Sequence, residues 1–129
     1  MPSSRPLALV AEDTELGRWA IAHALQASGF EFHTSASWVE SAGWLDSAEF
    51  AVAVMALSCG LDDVAHVAAH MRSHHSRTRM IVLAAQEEVA VMRQICGPDV
   101  IVLAKPLNVE QVVLAAKSLT EPGAIALGA

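Results

Sequence analysis

Positive charge is scarce in this chain. Lysine and arginine together number 8 against 14 acidic residues, a formal net charge of −6, and no basic run gathers them. A surface that neutralises phosphates needs clustered Lys and Arg, so this composition argues against nucleic-acid binding. Long apolar runs are missing too. Although 53% of the residues are hydrophobic and mean hydropathy is +0.40, no segment reaches the roughly 20 apolar residues of a membrane span. Thiols are limited to Cys59 and Cys96. Leu7–Ala11 is too short for the apolar core of a secretory leader, so the expectation is a cytoplasmic protein with reduced thiols.

A further absence sits in the middle of the chain. Phe50-Ala51-Val52-Ala53-Val54-Met55-Ala56-Leu57 is uncharged, rich in Val and Ala, and closed by Ser58-Cys59-Gly60. Its length and composition predict a strand buried on both faces, as in a parallel sheet. In open parallel sheets ligands sit beyond the carboxyl ends of the strands. Here that end offers Met55, Ala56 and Leu57, with no acid, base or nucleophile before Ser58.

What is present alternates regularly. Pro6–Ala11 predicts a first strand, with Glu12-Asp13 at its end. Thr14–Ser28 carries Leu16, Ala20, Ile21, Ala24 and Leu25 at helical spacing, and Gly29 stops the helix. Glu31–Thr34 alternates as a half-exposed strand does. Ser37-Trp38-Val39-Glu40 has the form of a capping box opening a helix to about Ser47. After the central strand, Leu61–Ser73 reads as a helix and Arg79–Ala84 as a strand. Gln86–Cys96 predicts a helix ended by Gly97-Pro98, Val100–Leu103 a fifth strand, and Asn108 the cap of a last helix buried through Val112, Val113, Ala116 and Leu119. A chain of 129 residues suits one domain, here residues 6–120 with short tails at 1–5 and 121–129. Five strands alternating with five helices predict an α/β doubly wound parallel sheet in the order 2-1-3-4-5, a flavodoxin-like three-layer sandwich with helices 1 and 5 on one face.

Three short stretches add a resemblance. Leu9-Val10-Ala11-Glu12-Asp13, Ser28-Gly29-Phe30 and Leu103-Ala104-Lys105-Pro106-Leu107 resemble landmarks of response-regulator receiver domains from two-component signalling, in the same order and at fitting intervals over roughly Pro6 to Thr120. In that family an Asp ending the third strand accepts a phosphoryl group from a histidine kinase, and the acidic pair holds the Mg²⁺ the transfer needs. A Thr or Ser ending the fourth strand binds the phosphoryl group, an aromatic residue on the fifth reports it, and the Lys contacts its oxygens. The resemblance places Met55 at the acceptor, Ala84 at the hydroxyl and Val102 at the aromatic position. A thioether forms no acyl phosphate, Ala donates nothing, and Val is too small for the rotamer swing. The resemblance therefore implies a pseudo-receiver, with Glu12, Asp13, Lys105 and Pro106 retained.

Glu12 and Asp13 with waters would make at most a weak Mg²⁺ site, and the favoured expectation is that one of them pairs with Lys105, because two close carboxylates repel. Ser58 is expected to cap a turn and Cys59 to fill space. Asp63, His66, His70 and His74 fall at i, i+3, i+7 and i+11 of the third helix, a spacing that suits Zn²⁺ or Ni²⁺, or equally a solvated His-rich face. Trp44 or Leu45 is expected to pack on the sheet, with Trp19 and Trp38 outward. The resemblance implies a stand-alone signalling module acting by protein contact, its partner a histidine kinase, another regulator or an output protein, or a second copy. The expected face is helix 4–strand 5–helix 5, through Val91, Val102, Val109 and Leu114. Two alternatives stay open: a phosphorylatable regulator with a displaced acceptor, and a flavodoxin-like nucleotide or flavin binder. The second lacks a Gly-rich loop after strand 1, where Glu12-Asp13 would repel phosphate.

Overall fold

The computed structural model describes residues 5–56, 61–75, 77–106 and 108–120, with backbone alone at 61–63. Its elements are β1 (Leu7–Glu12), α1 (Glu15–Ala27), β2 (Glu31–Ser35), α2 (Trp38–Ser47), β3 (Val52–Ala56), α3 (Leu61–His74), β4 (Arg79–Ala84), α4 (Val89–Cys96), β5 (Ile101–Ala104) and α5 (Val109–Thr120). All four strand pairings are parallel, in the order β2-β1-β3-β4-β5. The expected α/β doubly wound, flavodoxin-like sheet is what the chain forms.

Period-2 alternation divides the core between the two faces of this sheet. Ala8, Val10, Val52, Val54, Ala56, Ile81 and Leu83 point toward α1 and α5, where they meet Ile21, Ala22, Leu25, Val112 and Ala116. Leu9, Ala11, Ala53, Met55, Met80, Val82, Ala84 and Val102 point to the other side, against Leu45, Val64, Ala68, Met71, Met92 and Cys96 of α2, α3 and α4. Every residue of β3 is buried, as an uncharged run with helices on both sides requires. β2, at one edge, keeps partial exposure. Phe30 and Phe50 are among the largest fully buried side chains, one in each of the two core layers.

Local sequence sets the helix ends. Thr14 Oγ1 accepts from the Gly17 N–H at 3.1 Å, Ser37 Oγ from Glu40 N–H at 3.1 Å, and Asn108 Oδ1 from Gln111 N–H at 3.2 Å. Each satisfies a donor that the first helical turn leaves unpaired. Glu40 returns its carboxylate to the Ala36 N–H at 2.8 Å, one residue before the cap. Gly29 stands at φ +100°, where it lets the Phe30 N–H turn back to the Leu25 carbonyl. The fourth helix is shorter than expected. Gln86–Glu88 forms a separate 3₁₀ turn, and α4 begins only at Val89. Cys96 closes α4 in the core; burial pushes its thiol pKa up, with the Arg72 guanidinium pulling the other way.

Candidate functional site

The carboxyl ends of β1, β3, β4 and β5 lie side by side. Ala11 is in register with Met55, Met55 with Val82, and Ala84 with Ala104, and the Lys105 N–H extends the ladder to the Ala84 carbonyl at 2.8 Å. This rim carries a cleft of about 230 Å³ whose lining includes Met55, Ala84, Lys105, Trp38, Glu88 and Met92. Met55, Ala84 and Lys105 are thus brought together, as the strand order requires. The wall is a thioether, methyl groups and an indole. Met55 is 2% exposed, packed in the core below Trp38, whose indole Nε1 is buried without a hydrogen-bond partner.

Glu12 turns to a different task. The Glu12 carboxylate accepts from both the N–H and the hydroxyl of Thr14, the latter at 2.7 Å. Arg18 reaches back with Nη1 to the Glu12 carbonyl at 2.9 Å and the Asp13 carbonyl at 3.3 Å. Ion pairs among the described residues include His70–Asp46, His75–Asp46 and Arg77–Glu49. The Glu12 carboxylate, one of the two expected partners of Lys105, is engaged by Thr14. The physical reason is local: the Thr14 donors are two residues away, and the first turn of α1 favours a carboxylate beside its N-terminus.

That arrangement explains a glycine in a helix. A Cβ on Gly17 would lie 2.8 Å from the Glu12 carboxyl carbon, its Oε2 and the Thr14 hydroxyl. Gly→Ala inside a helix normally stabilises by about 1 kcal/mol. Gly17→Ala should forfeit that gain, because Glu12 must leave and the Thr14 cap, itself worth about 1 kcal/mol, is disturbed. Chemical denaturation of the parent and of Gly17→Ala checks this, and a variant more stable by the full helical increment would contradict it.

Several other expectations need correcting. Val102 is 3% exposed, because its side chain points under α4 into the same core layer as Met92 and Val82. It is therefore not the centre of an outward strip. Val91 and Leu114 are exposed, at 43% and 67%, and Val109 is half-buried. Trp38 is not outward either. It shares a helical stripe with Ser41 and Leu45, three and seven residues on, and both of those are buried; that spacing is the signal in the sequence for an inward Trp38. Trp44 stacks on His33 with ring centroids 4.0 Å apart, Leu45 is buried, and Trp19 remains partly exposed against Phe32 and His23. On α3, His66 is exposed, and His70 and His74 have ring centroids 4.7 Å apart. Ser58, Cys59 and the Asp63 side chain lie outside the described residues.

A parallel sheet in the order 2-1-3-4-5, flanked by α1 and α5 on one side and α2, α3 and α4 on the other, is the receiver-domain fold of response regulators. No family model and no curated protein matches the chain. Among solved structures it is similar to HP1043, an orphan response regulator of H. pylori, with 19% identity, TM-score 0.73, and 91% of this chain and 97% of that one covered. The Vibrio cholerae chemotaxis response regulator CheY4 gives 23% identity and TM-score 0.72 over 90% and 99% of the two chains. The response regulator TrrA of Thermotoga maritima, solved with Mg²⁺–BeF, gives 19% and 0.72 over 88% and 98%. At these identities the likeness is one of fold. Among the described residues no helix is long and apolar enough to cross a membrane.

Proposed function

We propose that this chain is a receiver-type signalling module that works through protein contact without accepting a phosphoryl group. The observation that carries this reading is Met55, a buried thioether at the end of β3 in the cleft that also holds Ala84 and Lys105. Phosphoryl transfer to a protein needs an oxygen or nitrogen nucleophile in line with the donor and a cation on the developing charge. Among the described residues lining this cleft, none is a Ser, Thr, His or Asp; its charged groups are the Lys105 amine and one carboxylate, that of Glu88 in the turn before α4.

The Mg²⁺ that the resemblance implies does not fit these residues. Mg²⁺ takes hard oxygen ligands in a near-octahedral set; Met55 offers a soft sulfur, and the Glu12 carboxylate is committed to Thr14. No catalytic step is therefore assigned to the site, and the protein is read as a non-enzyme. The working surface in this reading is the α4–β5–α5 side, with Leu114 and Val91 as its outward apolar residues. The partner is a protein of the same signalling class or a second copy, in the cytoplasm. Binding is constitutive, since no phosphoryl-driven shift in population remains to gate it.

Incubation of the full chain with acetyl phosphate and Mg²⁺ should leave its intact mass unchanged. A gain of one phosphoryl group, mapped to any residue by fragmentation, would overturn the proposal in favour of a displaced acceptor.

A further inference from the structure

A second constellation lies at the opposite end of the molecule. Helices of a parallel α/β fold run antiparallel to their strands, so the C-terminal ends of α2 and α3 meet at the amino edge of the sheet. There Asp46, in the last turn of α2, faces His70 of α3 and His75, which follows α3. His75 Nε2 is 3.0 Å and His70 Nε2 is 3.8 Å from the same Asp46 Oδ1, and the three donor atoms lie within 4.8 Å of one another. The α3 spacing expected from sequence supplies only His70 to this set; Asp46 and His75 come from elsewhere in the chain.

We infer that Asp46, His70 and His75 form a binding site for a borderline divalent cation, with Zn²⁺ as the ion the donor set suits best. Two imidazoles and one carboxylate are a recurrent three-ligand set for such ions. Bonds of about 2.0–2.1 Å in a tetrahedron hold ligand atoms roughly 3.3 Å apart; the two distances to Asp46 Oδ1, 3.0 and 3.8 Å, bracket that value, and the two imidazole donor atoms lie within 4.8 Å of each other. Mg²⁺ and Ca²⁺ prefer all-oxygen sets and are disfavoured by two nitrogens.

Two details favour a cation. His70 Nε2 is shielded from solvent and has no hydrogen-bond partner; at 3.8 Å from the carboxylate it is beyond hydrogen-bond range. A buried imidazole nitrogen left unmatched is costly, whereas as a metal ligand it is satisfied. Asp46 also sits where the α2 dipole is negative, a position that disfavours a carboxylate; the last turn of α2 holds no basic residue, and the groups that face the carboxylate are the imidazoles of His70 and His75. A bound cation removes both penalties. Asp46 and His75 also border a surface groove of about 480 Å³ that His74 shares, so the fourth coordination position has room for water or a further ligand. Occupancy would tie the end of α2 to the end of α3, outside the cleft that Met55 shares with Ala84 and Lys105 and independent of any phosphoryl chemistry.

Titration of the full chain with Zn²⁺ against a chromophoric chelator tests the site. One saturable equivalent is expected, with visible d–d bands of tetrahedral type when Co²⁺ is used instead. Asp46→Asn and His70→Ala should each weaken Zn²⁺ binding at least tenfold and abolish the Co²⁺ bands, while His66→Ala and His23→Ala should leave both unchanged. Zn²⁺ should raise the Tm of the parent by several degrees and leave that of Asp46→Asn in place. Asp46 is exposed, so this variant should fold even if His70→Ala does not, and circular dichroism confirms it. Absence of saturable binding, or Zn²⁺ affinity unchanged in Asp46→Asn, overturns the assignment.

Discussion

Val102→Lys should unfold or severely destabilise the protein, whereas Leu114→Lys should leave its stability nearly unchanged. Both positions fall on the face through which receiver-like contact is expected, yet they differ in burial by an order of magnitude, 3% against 67% exposed. Val102 pairs in register with Val82 and packs in the layer containing Met80, Met92 and Cys96. A lysine there must bury its ammonium without a partner, or force α4 away from the sheet. Either route costs about 3–5 kcal/mol, a large part of a small domain's total stability. At Leu114 the lysine projects into water, and surface substitutions of that kind stay within about 0.5 kcal/mol. Urea denaturation followed by circular dichroism separates the two. Equal midpoints for Val102→Lys and the parent would show that β5 is not packed as described. For function only Leu114→Lys is informative: it should lose self-association or partner capture while remaining folded.

The contrast shows where sequence reading is strong and where it is weak. Sheet order, parallel pairing and the division of helices between two faces follow from alternating apolar periods and short connections, because burial is a bulk requirement that many residues vote on. Two cap positions are legible for the same reason in miniature: Ser37 and Asn108 each satisfy a helical donor within three residues, whereas Thr14, read as the first helical residue, is itself the cap of α1. Facing within a short edge strand was not legible. Val102 is one of four residues in β5, and a one-residue change in phase exchanges inside for outside. Pairings between side chains distant in sequence were harder still. Charge and reach point Lys105 toward the acidic pair, but Glu12 has donors two residues away at Thr14, and that local closure is not visible in a charge pattern. The His-rich helix posed the reverse problem: its spacing suggested a ligand set along one helix, while the structure assembles one from α2, α3 and the residue after it. No single-helix periodicity encodes where Asp46 sits relative to His70, 24 residues on.

Met55→Asp is the substitution that bears most directly on the proposed function, and its expected first effect is loss of stability. The side chain is 2% exposed beneath Trp38, so the new carboxylate would be desolvated among Met92, Val64 and Ala84, with Lys105 at the margin of the cleft. Burial raises a carboxyl pKa in the folded state above its unfolded value. The folded protein then holds its proton over a pH range where the unfolded chain has released it. Stability of the variant is therefore highest at low pH and falls as pH rises through and beyond the ordinary carboxylate range, the opposite of the usual salt-bridged Asp. At neutral pH the loss should be about 2–5 kcal/mol, the sum of lost apolar burial and an unpaired buried charge. Mg²⁺ should recover part of it, because a third carboxylate beside Glu12 and Asp13 makes an oxygen-rich set that releases Glu12 from Thr14. Phosphoryl signalling should not return with the metal, since Ala84 offers no hydroxyl and Val102 no aromatic side chain. Thermal melts across pH, with and without Mg²⁺, measure the first two effects, and two-dimensional NMR with the phosphoryl analogue beryllofluoride measures the third. A variant as stable as the parent at neutral pH without Mg²⁺ would mean that the β3 end is more open than its packing indicates. A global shift of β4 and α4 resonances on adding the analogue would mean that this fold can switch without the hydroxyl and the aromatic side chain.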